Sequence, residues 1–239
     1  MELTSLSLLG LGFVFGLKHA LDADHVVAVS TIVSERRSLL SSSLVGMLWG
    51  AGHTAALLVA GLGVLVLRLQ IPERVALGME FGVGIMLVVL GGNLLWKLWR
   101  GGTLHVHAHA HGSRLHIHPH IHMPHEAEAA HTHHNWVTQG RPFVVGLVHG
   151  MAGSAALMLL VLSTIPSPWL GVLYILVFGV GSIGGMLAMS AAISLPLVFT
   201  AQRFHRANAL LRLTAGLASV TLGLVLMWEI GVHEGLLRL

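Results

Sequence analysis

Residues 16 to 25 read Gly16-Leu17-Lys18-His19-Ala20-Leu21-Asp22-Ala23-Asp24-His25, which sets two imidazoles and two carboxylates inside an apolar run from roughly residue 4 to 33. Taking such groups out of water is costly unless they are paired or bound. A run that is apolar enough to lie in a membrane yet keeps all four therefore reads as both a span and a site. A divalent cation is the simplest partner, because imidazole nitrogen and carboxylate oxygen share one coordination sphere and the ion offsets the carboxylate charge.

The composition around this stretch sets the fold class. Hydrophobic residues make up 54% of the 239-residue chain and charged residues 10%, against about 25% charged in soluble domains. Interruptions in the apolar pattern predict six spans, roughly 4 to 33, 39 to 67, 75 to 99, 142 to 164, 169 to 199 and 208 to 230, each long enough to cross the hydrocarbon layer. The first is longer than a straight span needs, so it is expected to tilt, kink or break near Gly16 to His19. Pro166 and Pro168 predict a tight turn, and Pro196 a kink rather than a stop. The start, Met1-Glu2-Leu3-Thr4, has no basic n-region, and the first span is expected to be retained. There is no cysteine, which excludes disulfides, thiolate ligands and thiol nucleophiles.

Alternating the loops between two sides puts Arg36, Arg37, Lys97, Arg100, Arg114, Arg141, Arg203, Arg206 and Arg212 on one side and Arg68, Arg74 and Arg238 on the other. The positive-inside rule then places the long loop in the cytoplasm and both termini outside. The formal net charge of +3 reflects this orientation and suggests no nucleic-acid partner.

The chain also repeats itself. Gly16-Leu17-Lys18-His19-Ala20 aligns with Gly146-Leu147-Val148-His149-Gly150 at an offset of 130, and Trp49-Gly50-Ala51-Gly52 with Phe178-Gly179-Val180-Gly181 at 129. Gly84, Leu90, Gly91 and Trp96 align with Gly216, Leu222, Gly223 and Trp228 at 132. Three spans per copy invert the second copy in the membrane, a secondary-transporter design with its site near the midplane where the copies meet. The reading is thus an all-α polytopic membrane protein of six transmembrane helices in two inverted three-helix repeats. Residues 1–100 form the first repeat, 101–140 a loop and 141–239 the second repeat.

His19 and His149 fall where that midplane site belongs, and His53 in the second span joins them, with Ser182 as its counterpart in the second copy. On a regular helix His19, Asp22 and His25 share one arc, whereas Asp24 points about 100° from His25. Asp24 then needs a distorted helix, or acts by orienting a ligating histidine. The alternative is a satisfied polar network with Lys18 and no metal. The expected metal group is His19, Asp22, Asp24, His25, His53 and His149.

His19-Ala20-Leu21-Asp22-Ala23-Asp24-His25 fits His-x4-Asp-His, and Leu48-Trp49-Gly50-Ala51-Gly52-His53-Thr54 and Gly146-Leu147-Val148-His149-Gly150-Met151-Ala152-Gly153-Ser154-Ala155-Ala156-Leu157 carry two further motifs. Together they resemble the nickel/cobalt transporter family, in its short, six-span, UreH-like branch. Lys18 stands where Arg is frequent in that family, and Thr54 where Ser is. The resemblance implies Ni²⁺ or Co²⁺ as the transported substrate, with His19, Asp24, His25 and His53 at the selective site.

Between His105 and His134 lie twelve histidines. Many fall in His-x-His steps: His105, His107, His109 and His111, then His116, His118, His120 and His122. Alternate residues of an extended chain share a side, so paired imidazoles there suit Ni²⁺, Co²⁺, Zn²⁺ or Cu²⁺. The expectation is a flexible cytoplasmic metal buffer or sensor, set against a dispensable tract of biased composition.

Other signals are bland. Gly179-x-Gly181-x-x-Gly184 matches a dinucleotide fingerprint on paper but follows no strand, and small-residue packing explains it better. Met186 and Met189 read as core, Glu80, Glu229 and Asn93 as interfacial or proton-relaying groups, and the six tryptophans mostly as interfacial anchors. No phosphate-binding loop is present, so no ATP site or organic cofactor is expected. An inward-negative potential favours cation entry by about 2.3 kcal/mol per charge per 100 mV.

The functional expectation is therefore uptake of Ni²⁺ or Co²⁺ across the cytoplasmic membrane of a prokaryote, with lipid and metal as partners and homo-oligomerisation left open. Efflux with the loop collecting metal is one alternative; a metal-binding accessory protein for urease or hydrogenase is another. An embedded metalloenzyme needs a general acid or base and an open coordination position; no His-Glu-x-x-His occurs, and no enzymatic activity is expected.

Overall fold

The first apolar run is two helices. In a computed structural model, which describes residues 2–36, 38–67, 72–100, 103–111, 114–122, 135–152, 165 and 167–237, α1 (Glu2–His19) stops at the first histidine and α2 (Ala23–Val33) starts after a short break, bent by 54°. The break is a tight turn, with Leu21 N–H on the Lys18 carbonyl at 2.9 Å and Asp22 N–H on that of His19 at 3.1 Å. Asp22 then takes the extended N-cap conformation (φ −61, ψ 145) that short polar residues favour before a helix. The break thus follows His19, and Gly16 stays helical.

The remaining elements are α3 (Leu39–Leu67), α4 (Glu73–Trp99), β1 (Thr103–His111), β2 (Arg114–His122), α5 (Asn135–Gly150), α6 (Pro168–Arg203) and α7 (His205–Trp228), closed by a π-helical turn (Glu229–His233). Among the described residues four helices are long and apolar enough to cross a membrane, or five if α1 and α2 form one span. Their outer faces carry exposed Phe15, Val59, Val89, Val180, Phe199 and Leu224, an apolar surface that suits lipid rather than water. Of the expected fourth span, the described residues cover only the first part, as α5; 153–164 lie outside them. Pro196 does not end α6.

The His-rich loop departs from the flexible segment expected of it. β1 and β2 pair antiparallel, with His105 opposite His120, His107 opposite His118 and His109 opposite His116. The physical reason is in the pattern: Val106, Ala108, Ala110, Leu115, Ile117 and Ile121 alternate with the histidines, a two-residue period that favours strands.

Helix backbones approach each other closely through glycine. A Cβ on Gly16 would run into the Phe178 carbonyl, and one on Gly181 into that of Phe13, so α1 lies tight on α6. Gly146 meets the Trp49 carbonyl and Gly52 that of Phe143, which seats α5 on α3 in the same way. Gly84 faces the Gly223 carbonyl and Gly91 that of Gly216, joining α4 to α7, where the Ser219 hydroxyl also donates to the Leu87 carbonyl at 2.8 Å. Small residues at such crossings replace the hydrophobic drive that lipid removes. Between these pairs, Val29, Val33, Trp49, Leu87, Met186 and Met189 form the main core. Trp49 is fully buried there, not interfacial, whereas Trp96, Trp99, Trp169 and Trp228 are exposed.

Candidate metal centre

The break between α1 and α2 opens onto the α3 and α5 histidines. His19 ends α1, His25 sits on the first turn of α2, His53 lies midway along α3, and His149 is the penultimate residue of α5. The close α3–α5 seat, in which a Cβ on Gly150 would meet the His53 carbonyl, brings the last two together. Ring centroids are 4.1 Å apart for His25 and His149, 4.5 Å for His19 and His25, 5.0 Å for His19 and His53, and 5.1 Å for His25 and His53. His25 and His53 are fully buried and His149 nearly so.

Asp24 sits at the junction, turned inward by the break that a regular helix would lack. Its two oxygens accept from two rings, Oδ1 from His25 Nδ1 at 3.0 Å and Oδ2 from His149 Nε2 at 2.9 Å. Asp22, which a regular helix would aim inward, is instead half exposed, and its Oδ2 accepts from His19 Nδ1 at 2.7 Å. Lys18 is exposed. All six expected residues thus meet at one place, with Asp24 turned inward as the distorted-helix alternative requires and Asp22 at the half-exposed edge.

The carboxylates fix the tautomers. A carboxylate only accepts, so the protons of neutral His19 and His25 sit on Nδ1 and that of His149 on Nε2. This leaves lone pairs on His19 Nε2, His25 Nε2 and His149 Nδ1. His25 Nε2, His149 Nδ1 and His53 Nδ1 are buried with no hydrogen-bond partner, and His53 Nε2 lies 3.1 Å from His19 Nε2. Buried ring nitrogens left open cost free energy, and a bound cation removes that cost. Two sets of three have ligand atoms within 4.8 Å of one another: His19, His25 and His53, and Asp24, His25 and His149. Imidazole–carboxylate hydrogen bonds of this kind orient metal ligands.

Besides His149, the second half contributes packing here. Ser182, the repeat counterpart of His53, is buried with its hydroxyl unpartnered, the Phe178 ring lies 5.7 Å from that of His19, and the Thr54 hydroxyl donates to the Gly179 carbonyl at 3.4 Å. Gly181 and Gly185, in the region of the apparent dinucleotide fingerprint, face α1.

Counting charge by loop misses a second polar cluster, at the far end of α2. Lys97 Nζ donates to Glu35 Oε1 at 2.7 Å, and the same carboxylate is the electrostatic partner of Arg212. Arg212 is no loop cation: it is buried within α7, and its Nε is unpartnered. The sequence signal is an arginine inside an apolar run.

No family model matches the chain, and no solved structure matches it. It is 40% identical over 239 residues to a Bacillus sp. (strain TB-90) protein named urease accessory protein UreH, across 98% of this chain and 96% of that one. It is also 27% identical over 216 residues to the chloroplast protein FOR GROWTH AND FERTILITY 1 of Arabidopsis thaliana, across 89% of this chain and 56% of that one.

Proposed function

The chain belongs to the family of that urease accessory protein UreH, and on this premise we propose that it carries Ni²⁺, or Co²⁺, across a membrane through the His19–His25 break. The observation that carries the reading is the convergence of four imidazoles and Asp24 on one buried point inside an apolar bundle. Open ring nitrogens there suit a borderline divalent cation. An accessory role toward urease is compatible with supplying nickel across a membrane. The resemblance to the nickel/cobalt transporter family, through His-x4-Asp-His and the His53 motif, points the same way. A membrane potential drives uptake without ATP.

The proposed architecture is six spans in two inverted halves. The paired packing supports it. Gly16 on Phe178 and Gly146 on Trp49, Gly181 on Phe13 and Gly52 on Phe143, and Gly84 on Gly223 and Gly91 on Gly216 are each one contact with the two copies exchanged. In this reading the basic loops face the cytoplasm of a prokaryotic inner membrane, and the hairpin is a cytoplasmic metal store. Three opposed histidine pairs on its register support that role.

A second reading, metal handover to urease without transport, is favoured by the relative's name. The deciding experiment is ⁶³Ni²⁺ flux in liposomes holding only this protein. Accumulation abolished by His19→Ala supports a transporter; tight His19-dependent binding without flux supports handover.

A further inference from the structure

The two triads of the centre have one residue in common, His25, and its two nitrogens open in different directions. Nδ1 faces Asp24 at 3.0 Å. Nε2 is buried and unpartnered, in a ring packed edge-on to both His19 and His53. His53 and His149, which belong to different triads, are farther from each other than the rings within either triad, with centroids 6.1 Å apart. We infer that the centre is two overlapping ion positions sharing His25, one of imidazoles only (His19, His25, His53) and one with a carboxylate (Asp24, His25, His149), between which the ion passes. This deepens the transport reading and rests on it.

The chemistry of one ring makes the positions exclusive. A neutral imidazole has one lone pair. With its proton on Nδ1, held by Asp24, His25 offers Nε2 to the imidazole-only position. When the proton moves to Nε2, the same ring offers Nδ1 to the Asp24 side, and no net proton is gained or lost. His149 makes the matching shift: its Nδ1 takes the proton now on Nε2, freeing Nε2 beside Asp24 Oδ2, 2.9 Å away. The ion thus exchanges a three-nitrogen sphere for one with an oxygen ligand whose charge opposes its own. Such a step prevents a deep trap at one fixed site.

The test uses Co²⁺ as probe on the purified full chain. Absorption and X-ray absorption spectra are taken as differences from His25→Ala, which cancels the His-rich hairpin common to all variants. His53→Ala is expected to hold Co²⁺ with two imidazoles and a carboxylate oxygen, His149→Ala with three imidazoles, and wild type with a mixture. In liposomes ⁶³Ni²⁺ flux falls at least about tenfold in both variants, although each still binds. Superimposable spectra from His53→Ala and His149→Ala, or His25→Ala matching wild type, overturn the two positions. Should His25→Ala not fold, the metal-free chain is the baseline and the other two variants decide. Wild-type protein without flux overturns transport while the spectra still judge the paired positions.

Discussion

Replacing Asp24 with asparagine keeps the shape of the side chain and removes its charge, which isolates what the carboxylate does between two rings. Both oxygens now accept from imidazole N–H groups, at 3.0 Å from His25 and 2.9 Å from His149. Asparagine keeps one acceptor oxygen and turns an NH₂ toward the other ring's N–H, so one contact becomes donor against donor. A hydrogen bond to a charged group is worth about 1.5–3 kcal/mol. At about 1.4 kcal/mol per tenfold, Ni²⁺ affinity should fall about ten- to hundredfold, the range typical of lost orienting partners. Equilibrium dialysis with ⁶³Ni²⁺, taken as a difference from His25→Ala to remove hairpin binding, measures it. Asp22→Asn, altering a half-exposed group that touches His19 alone among these rings, should cost less. Wild-type affinity in Asp24→Asn, or a larger loss in Asp22→Asn, would refute the reasoning.

Other consequences can be checked on the same preparation. Gly146→Val, whose Cβ would meet the Trp49 carbonyl, should lower thermal stability by about 1–3 kcal/mol. Gly92→Ala, in α4 with open space around it, should raise stability by up to about 1 kcal/mol; fluorescence-detected melting compares the two. Glu35→Gln leaves buried Arg212 without its anionic partner and should destabilise more than Lys97→Met, which removes a part-exposed pair worth about 1 kcal/mol at most. Metal occupancy of the His-rich loop should fall below about pH 6, because protons compete for the imidazole lone pairs; a pH series of dialysis measurements on His25→Ala tests this. Deleting 104 to 134 should change apparent affinity or regulation more than the core path. Complete loss of flux with folding intact would contradict that.

Much of the centre is legible in the sequence because imidazoles and carboxylates inside an apolar run are costly to keep unless they pair or bind an ion. Spacing and repeat position single out His19, His25, His53 and His149, and the apolar limits give the α3 range, Leu39–Leu67. For Asp24 the sequence leaves two readings open, a distorted helix or an orienting role, and does not choose between them. A helical wheel assumes an unbroken helix, and the turn at Ala20–Asp22 exchanges which carboxylate faces inward. Trp49 reads as interfacial because tryptophan often is, yet the glycine seat at Gly146 draws α5 over it. The hairpin does have a sequence signal. Gly112-Ser113 stands between two alternating runs, a pattern that favours a two-residue hairpin link, but the polarity of histidine argues against a strand and masks it. Arg212 falls to a loop when positive charge is counted by side, because such a count does not ask which charges the helices themselves bury.

The most direct measurement is ⁶³Ni²⁺ movement into liposomes that hold the purified full chain, under an inward-negative potential, with His19→Ala as the control. Ni²⁺ should accumulate in the wild-type vesicles and not in those with the variant, though both proteins insert equally. Equal flux in the two, or none in wild type despite tight binding, would contradict transport through the His19–His25 break.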